Sequence, residues 1–286
     1  MRLRTLPVSV AGVLAGTACA IMAGGFRWLP ALICLIFALL AQIVSNFANE
    51  YYDFRNGLDR KGREGFRRGV TEGDITPDAM KKATWGLLLL TCLVGCSLIY
   101  WGGWWMLPIG ALIALFALAY SAGPWPLSHH GMGDLAVIIF FGIVPVTLTC
   151  YLQTGNFDNL SCSLPVGVAI GMLAADVLIV NNYRDMEDDR AVGKHTTVVI
   201  FGRKVMGFIY ILFPVLALGM IAGAAGRYLP PLWGGVWSLC GVAYIPIWNR
   251  LREQRGAALN RVLAMTARMM LIVCVLLTVA AATAHL

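Results

Sequence analysis

Gln42, Asn46, Asn49 and Asp53 stand 4, 3 and 4 positions apart at the end of an otherwise apolar run. At 100° per residue they fall within an arc of about 60°, one narrow polar stripe on a helix. A second set, Asn181, Asn182, Asp185 and Asp189, projects to one side of a later segment if its helix continues past the apolar run. Asp185 and Asp189 are i, i+4 neighbours whose carboxylates can converge, and two such charges repel unless a cation lies between them. Asp176 points roughly the opposite way. Carboxylate and carboxamide oxygens are hard ligands suited to Mg²⁺, which binds through a few carboxylates plus substrate phosphates. Lys and Arg residues edge the same stretches and can hold the remaining phosphate charge. The chemistry these types and spacings favour is a diphosphate held between two metal-bearing acidic sites, with Mg²⁺ as Lewis acid for its departure.

Such a site needs elements that hold polar groups at the end of apolar helices. Of 286 residues, 59% are hydrophobic and 13% charged, against about 45–50% apolar and about 25% charged in a soluble domain. Nine runs approach the roughly 20 apolar residues that span a bilayer: 5–24, 28–48, 83–101, 104–121, 132–152, 163–182, 207–225, 229–248 and 263–283. The first is too long for a signal-peptide core and lacks a small-x-small cleavage site, so it counts as a span. No alternating barrel pattern is present, so the expected class is all-α: an integral membrane bundle of nine transmembrane helices. Nineteen of the 22 Lys and Arg residues fall on one face if the N-terminus is cytoplasmic; Arg27 and Arg227 lie outside it and Arg268 within the last span. The chain 1–286 reads as one transmembrane domain with cytoplasmic acidic loops 49–82 and 183–206, which hold 11 of the 15 acidic residues.

The net charge of +7 therefore reads as topology signal and anion handling, with no nucleic-acid motif beside it. Eight cysteines show no CxxC pair and no clustered His, which disfavours metal-thiolate and disulfide roles. Asn49-Glu50-Tyr51-Tyr52-Asp53 and Asn182-Tyr183-Arg184-Asp185 each end a span and precede a glycine and basic residues, a faint internal duplication with two facing acidic sites. A long apolar tail on the diphosphate could leave such a site sideways into the bundle, and prenyl diphosphates have that shape.

The stretches RLRTLP (2–7), QIVSNFANEYYDFRNGLD (42–59), RRGVTEGDITPDAMKKA (67–83), YSAGPWPLSHHGMGD (120–134) and NNYRDMEDDRAVGKHT (181–196) resemble the UbiA superfamily of intramembrane aromatic prenyltransferases. Within it they are most similar to the branch that acts on 1,4-dihydroxy-2-naphthoate. The resemblance implies a metal and catalytic set of Asn49, Asp53, Asp59, Asp185 and Asp189, with Asn46, Glu50 and Asn182 in support. Arg68, Arg184 and Lys194 would neutralise the diphosphate, and Tyr51 and Tyr120 would stabilise an allylic cation. Implied partners are Mg²⁺, a prenyl diphosphate, an aromatic acid and the lipid bilayer of a bacterial-type cytoplasmic membrane, the site opening to the cytoplasm. Arg4 is a further candidate for the acceptor carboxylate. Glu50 stands where the family usually has Asp, which adds a methylene at the first acidic site.

Other readings compete. A 4-hydroxybenzoate acceptor is the nearest, but Gly123-Pro124-Trp125-Pro126 looks like the naphthoate branch. A secondary transporter would place its polar groups near mid-membrane rather than at one end. The DxxDGxxxR-type signature of a CDP-alcohol phosphotransferase is absent. Residue by residue, Asn49 and Asn182 could instead be helix caps, Arg68 a topology charge, and His129 and His130 ordinary loop residues. Gly12 and Gly16 read as close helix packing.

Overall fold

The computed structural model describes residues 6–59, 67–123 and 125–284. Arg2, Arg4, Arg60, Lys61, Arg63, Glu64 and Pro124 lie outside them, and so therefore does the Arg4 expectation. Every named element is helical: α1 (Leu6–Met22), α2 (Trp28–Arg55), α3 (Gly69–Glu72), α4 (Pro77–Ser97), α5 (Ile99–Gly102), α6 (Met106–Ala119), α7 (Gly133–Val137), α8 (Val144–Thr154), α9 (Leu160–Ala191), α10 (Thr197–Ala225), α11 (Leu232–Glu253) and α12 (Leu259–Thr283). Six helical segments among the described residues are long and apolar enough to cross a membrane, and Leu6–Met22 and Met106–Ala119 are shorter apolar helices. The nine expected spans thus include three that fall short by this measure. α1 ends before Gly24 and α6 begins after Gly103, both at positive φ, while α11 is long enough at 22 residues but is diluted by Gly234, Gly235, Gly241 and Asn249.

The solvent shows in which side chains turn outward. On α2, Gln42, Asn49 and Asp53 are buried while Leu29, Leu32 and Ile36 are exposed. α4 similarly exposes Leu89, Leu90 and Leu93. Polar stripes inward and leucines outward is the arrangement lipid favours, because an unpaired polar group in hydrocarbon costs several kcal/mol.

The main core joins α1 and α8–α12, and a smaller cluster of Val13, Cys34, Leu98, Met106 and Leu152 lies under α2, α5 and α6. Glycines set the closest crossings. A Cβ on Gly16 would meet the Val146 carbonyl at 2.6 Å, and one on Gly142 would meet Gly167 O and Gly171 Cα at 2.3 Å. The Gly12/Gly16 pair is therefore spent on packing α1 against α8 and the segment before it. That segment, Ile138–Ile143, is a π-turn between α7 and α8. Pro145 follows it and cannot donate a backbone hydrogen bond, so the regular ladder is already interrupted there.

Both acidic stretches are helical where the polar residues fall. α2 continues to Arg55 and stops before Gly57 (φ +68), and α9 runs nine residues past Asn182 to Ala191 before Gly193 (φ +73). The long helices that follow these two stretches are capped by threonines. Thr76 accepts from Ala79 N at the start of α4, and Thr196 accepts from Val199 N at the start of α10.

Candidate functional site

Asn49 is the point where the first acidic helix meets its loop. Its amide nitrogen donates to Ser121 Oγ at 2.8 Å, and its Oδ1 accepts from Arg68 Nη1 at 3.2 Å. Arg68 is buried and lies 3.5 Å from both Asp53 Oδ2 and Asp59 Oδ2. One guanidinium therefore gathers a carboxamide and two carboxylates from separate turns. Glu50 points elsewhere: its Oε1 accepts from Val70 N at 3.0 Å and fixes the start of α3. The extra methylene relative to Asp gives the reach for that bond. Gln42 bridges inward, accepting from Ser9 and donating to Asn46. Outside the site, the exposed Arg67 grips Asp74 with two hydrogen bonds and holds its carboxyl below the ordinary carboxylate range.

The second acidic helix carries its own cation. Arg184 donates to both oxygens of Asp185, at 2.7 and 2.8 Å, and to Asn181 and Asn260. Arg184, Asp185 and Asp189 are all buried. The chain then turns at Gly193, with Lys194 N donating to Asp189 O at 2.8 Å, which folds this turn back onto the end of α9. An isolated parallel bridge ties this turn to the loop after α6: His195 N donates to His129 O at 3.0 Å. The two loops are thereby held together over the helix ends.

Asn49, Arg68, Tyr120, Asn182, Asp185 and Lys194 line one polar cavity of about 480 Å³. Six expected residues from four segments thus meet around one space. Asn46 lines the adjoining cavity of about 690 Å³, together with Asn49, Tyr120 and Asn181. Asp53 and Asp59 adjoin the polar cavity through Arg68, and Asp189 is buried one turn past Asp185. Tyr51 stacks edge-on against Tyr52 at 5.1 Å and is not among the residues lining these cavities.

Several lining residues went unnoticed in the sequence. Ser128 Oγ and Asp134 Oδ1 are buried with no hydrogen-bond partner among the described residues, while Asp134 Oδ2 accepts from Thr197. His129 Nε2 is 3.9 Å from Asp53 Oδ1, so of the two loop histidines this one reaches the acidic site. The other, His130, stacks on Trp125 at 4.3 Å.

Among the described residues no three His, Cys, Asp or Glu side chains are grouped closely enough to hold a metal ion by themselves. Mg²⁺ does not need such a cage, since it takes one or two carboxylates and completes its shell with phosphate oxygens and water. The carboxylate and carboxamide donors of α2 and α9 fit that demand, and two buried polar atoms without partners in the same cavity fit a polar ligand between them.

Beyond Tyr120 the lining changes character. Tyr120, Gln42, Ser45, Val137 and Phe141 continue into an apolar cavity of about 1140 Å³ bounded by Cys34, Phe37, Gly95, Met106 and Leu152. Tyr120 lines all three spaces. The arrangement is a polar, cation-bearing head pocket joined through one tyrosine to a long greasy channel, and it suits an amphiphile with a polyanionic head.

Residues 9–272 match the model of the UbiA prenyltransferase family. The chain is 36% identical over 241 residues to 1,4-dihydroxy-2-naphthoate octaprenyltransferase of Haemophilus influenzae, covering 78% of this chain and 75% of that one. It is 39% identical over 211 residues to the protein of the same name from Escherichia coli, covering 71% and 67%. Among solved structures it is similar to a UbiA homolog from Aeropyrum pernix, with a TM-score of 0.73, 16% identity and full coverage of both chains. A UbiA homolog from Archaeoglobus fulgidus bound to DMAPP and Mg²⁺ gives a TM-score of 0.69 at 16% identity, over 98% of each chain.

Proposed function

Because the chain belongs to the UbiA prenyltransferase family, we propose that it transfers a polyprenyl group from a prenyl diphosphate to 1,4-dihydroxy-2-naphthoate. The observation that carries this reading is the adjacency of a polar cavity to an apolar one, with Tyr120 lining both. Relatives named for naphthoate prenylation support the acceptor, and the DMAPP- and Mg²⁺-bound homolog supports the donor and the metal.

In this proposal Asn49, Asp53, Asp59, Asp185 and Asp189 hold Mg²⁺ and the diphosphate, with Asn46 and Asn182 in support. When bound, the metal supplies Lewis-acid charge to the leaving diphosphate. Arg68 and Lys194 take the phosphate oxygens directly. Arg184 serves by locking Asp185, since its guanidinium is already committed to that carboxylate. The C–O bond to the diphosphate breaks, the allylic cation lies against the Tyr120 ring, and the electron-rich naphthoate carbon bearing the carboxylate attacks. Loss of CO₂ from the carboxylate returns the electron pair to the ring and gives the prenylated 1,4-naphthalenediol, the reduced form of demethylmenaquinone, which a separate two-electron oxidation converts to the quinone. The topology that goes with it is nine spans with the N-terminus and the site on the cytoplasmic side of a bacterial-type inner membrane.

The test is detergent-purified protein with Mg²⁺ and a prenyl diphosphate, offered 1,4-dihydroxy-2-naphthoate or 4-hydroxybenzoate separately. Prenylated, decarboxylated naphthoate that disappears with EDTA is the expected product. Product from hydroxybenzoate alone moves the chain to another acceptor, and none from either sinks the assignment.

A further inference from the structure

The lining of the polar cavity is chemically divided. Arg68, Lys194, Asn49 and Asn182 bring hydrogen-bond donors to it, which suits a diphosphate, whose oxygens accept. Ser128 and Asp134, both from the stretch between α6 and α8, line the same cavity and are only 6% and 9% exposed. Ser128 Oγ and Asp134 Oδ1 have no hydrogen-bond partner among the described residues. A buried carboxylate oxygen left unpaired is costly, so it calls for a donor from outside the chain.

The fold holds Asp134 by its other oxygen. Thr197, the first residue of α10, donates to Asp134 Oδ2 and so ties the first turn of α7 to the start of α10. Ser128 N donates to Tyr120 O at 3.1 Å, folding the loop back onto the end of α6. Gly133 stands between these groups: a Cβ there would lie 3.5 Å from Tyr120 Oη and 3.9 Å from Ser128 Cα. Asp134, the next residue, therefore sits at the Tyr120 end of the polar cavity, where the proposed reaction puts the allylic carbon of the donor.

A carboxylate accepts hydrogen bonds and donates none, so Oδ1 pairs with a group bearing O–H rather than with phosphate oxygens, whose charge repels it. An acceptor of the 1,4-dihydroxy-2-naphthoate type carries two such groups. Its 1-hydroxyl adjoins the carboxylate and is hydrogen-bonded to it within the molecule, which leaves the 4-hydroxyl free to donate. We infer that Asp134 Oδ1 takes a hydrogen bond from the 4-hydroxyl of the aromatic acceptor, with Ser128 across Gly133 as a second polar contact. Asp134 is thus a specificity-determining residue that favours a 1,4-diol acid over a monohydroxy acid. This rests on the proposed prenyl-transfer reading and deepens it. The 4-hydroxyl is meta to the carbon that attacks, so the contact orients the ring and does not feed electrons to the reacting carbon.

1-Hydroxy-2-naphthoate keeps the reacting carbon and its neighbouring hydroxyl and lacks only the 4-hydroxyl. The experiment compares it with 1,4-dihydroxy-2-naphthoate as acceptor, under nitrogen, at saturating prenyl diphosphate and Mg²⁺. The wild-type protein should favour the diol in kcat/KM by about 10–100-fold, the scale of one hydrogen bond to a charged group. Asp134→Leu should lower that ratio by about tenfold or more. Thr197→Val cuts the same tie between α7 and α10 but keeps Oδ1, so it should retain the ratio even where it lowers stability. Equal loss with both acceptors in Asp134→Leu, or a ratio that falls as far in Thr197→Val, reduces Asp134 to a loop tie and overturns the inference. A raised donor KM or Mg²⁺ requirement with an unchanged ratio places Asp134 on the diphosphate and overturns it too. Equilibrium binding of the two acids without donor gives a readout free of turnover. Wild-type protein that binds the diol more tightly, loses that preference in Asp134→Leu and makes no product would overturn the transfer reading and leave the Asp134 contact supported. Product formed equally well from both acids does the reverse.

Discussion

Arg68 donates a 3.2 Å hydrogen bond to Asn49 across 19 residues of sequence. The bond joins the polar stripe of α2 to the loop that follows it, and it places a buried cation 3.5 Å from Asp53 and from Asp59. Before substrate arrives this cation offsets carboxylate repulsion; once a diphosphate enters, it faces added negative charge. Charge-assisted hydrogen bonds of this sort are worth about 1.5–3 kcal/mol. Arg68→Ala should therefore raise KM for the prenyl diphosphate by about 10–100-fold, and Arg68→Lys should recover only part, because the fork geometry is lost. Steady-state kinetics against donor concentration check this. An unchanged KM would reduce Arg68 to a loop anchor.

Arg184 and Asp185 form the opposite case, neighbours in sequence and both nearly fully buried. Removing one member strands a buried charge, which costs about 3–5 kcal/mol. Arg184→Met alone should lower thermal stability and activity together. Arg184→Met combined with Asp185→Leu should restore most of the stability and none of the activity. Thermal unfolding and turnover measured on the same samples separate the two roles; a double variant that stays as unstable as the single one would contradict the pairing.

How much of this was legible in the letters follows from the solvent. In lipid a polar residue on a helix is conspicuous, so the stripes ending at Asp53 and Asp189 could be read from spacing, and Asn49, Asn182 and Asp185 from them line one cavity with the expected Arg68, Tyr120 and Lys194. The helix ends were less visible. The apolar run of α9 stops near Asn182, but its hydrogen-bond ladder continues to Ala191. Ser121, Ser128, Asp134 and Thr197 received no individual role and His129 read as an ordinary loop residue, although the stretch 120–134 carried the resemblance, since their place depends on two loops meeting at the His130–His195 bridge. No spacing within either loop encodes that meeting. The plain roles of Glu50 and Arg184 were also hidden: a charge in a motif does not say which neighbour it will bind first.

His129 and His130 are adjacent but differ in reach. His129 Nε2 faces Asp53 at 3.9 Å, whereas His130 packs on Trp125 and its Nδ1 is 2.9 Å from Pro126 O. Groups that orient a metal-binding carboxylate affect activity by about 10–100-fold. His129→Ala should lower kcat/KM by about tenfold, at the lower end of that range, and His130→Ala should have far less effect on it. Parallel assays at saturating Mg²⁺ distinguish them, and equal effects would mean that both act only through loop structure.

Gly142 is where α9 comes closest to the π-turn that leads into α8. The nearest atoms a new Cβ would strike, Gly167 O and Gly171 Cα at 2.3 Å and Gly171 N at 2.4 Å, are all backbone, so no side chain can rotate away. The helices themselves must separate, and with them the wall of the cavity that contains Val137 and Phe141. Overpacking of this kind costs about 1–3 kcal/mol and occasionally more. Gly142→Ala should therefore lower the unfolding temperature by several degrees. Gly219→Ala is the internal comparison: its Cβ meets nothing within 4 Å, and helix propensity alone favours alanine by up to about 1 kcal/mol. That variant should unfold at or slightly above the wild-type temperature. If Gly142→Ala matched it, the close crossing at the π-turn would not be what holds α9 in place beside the site.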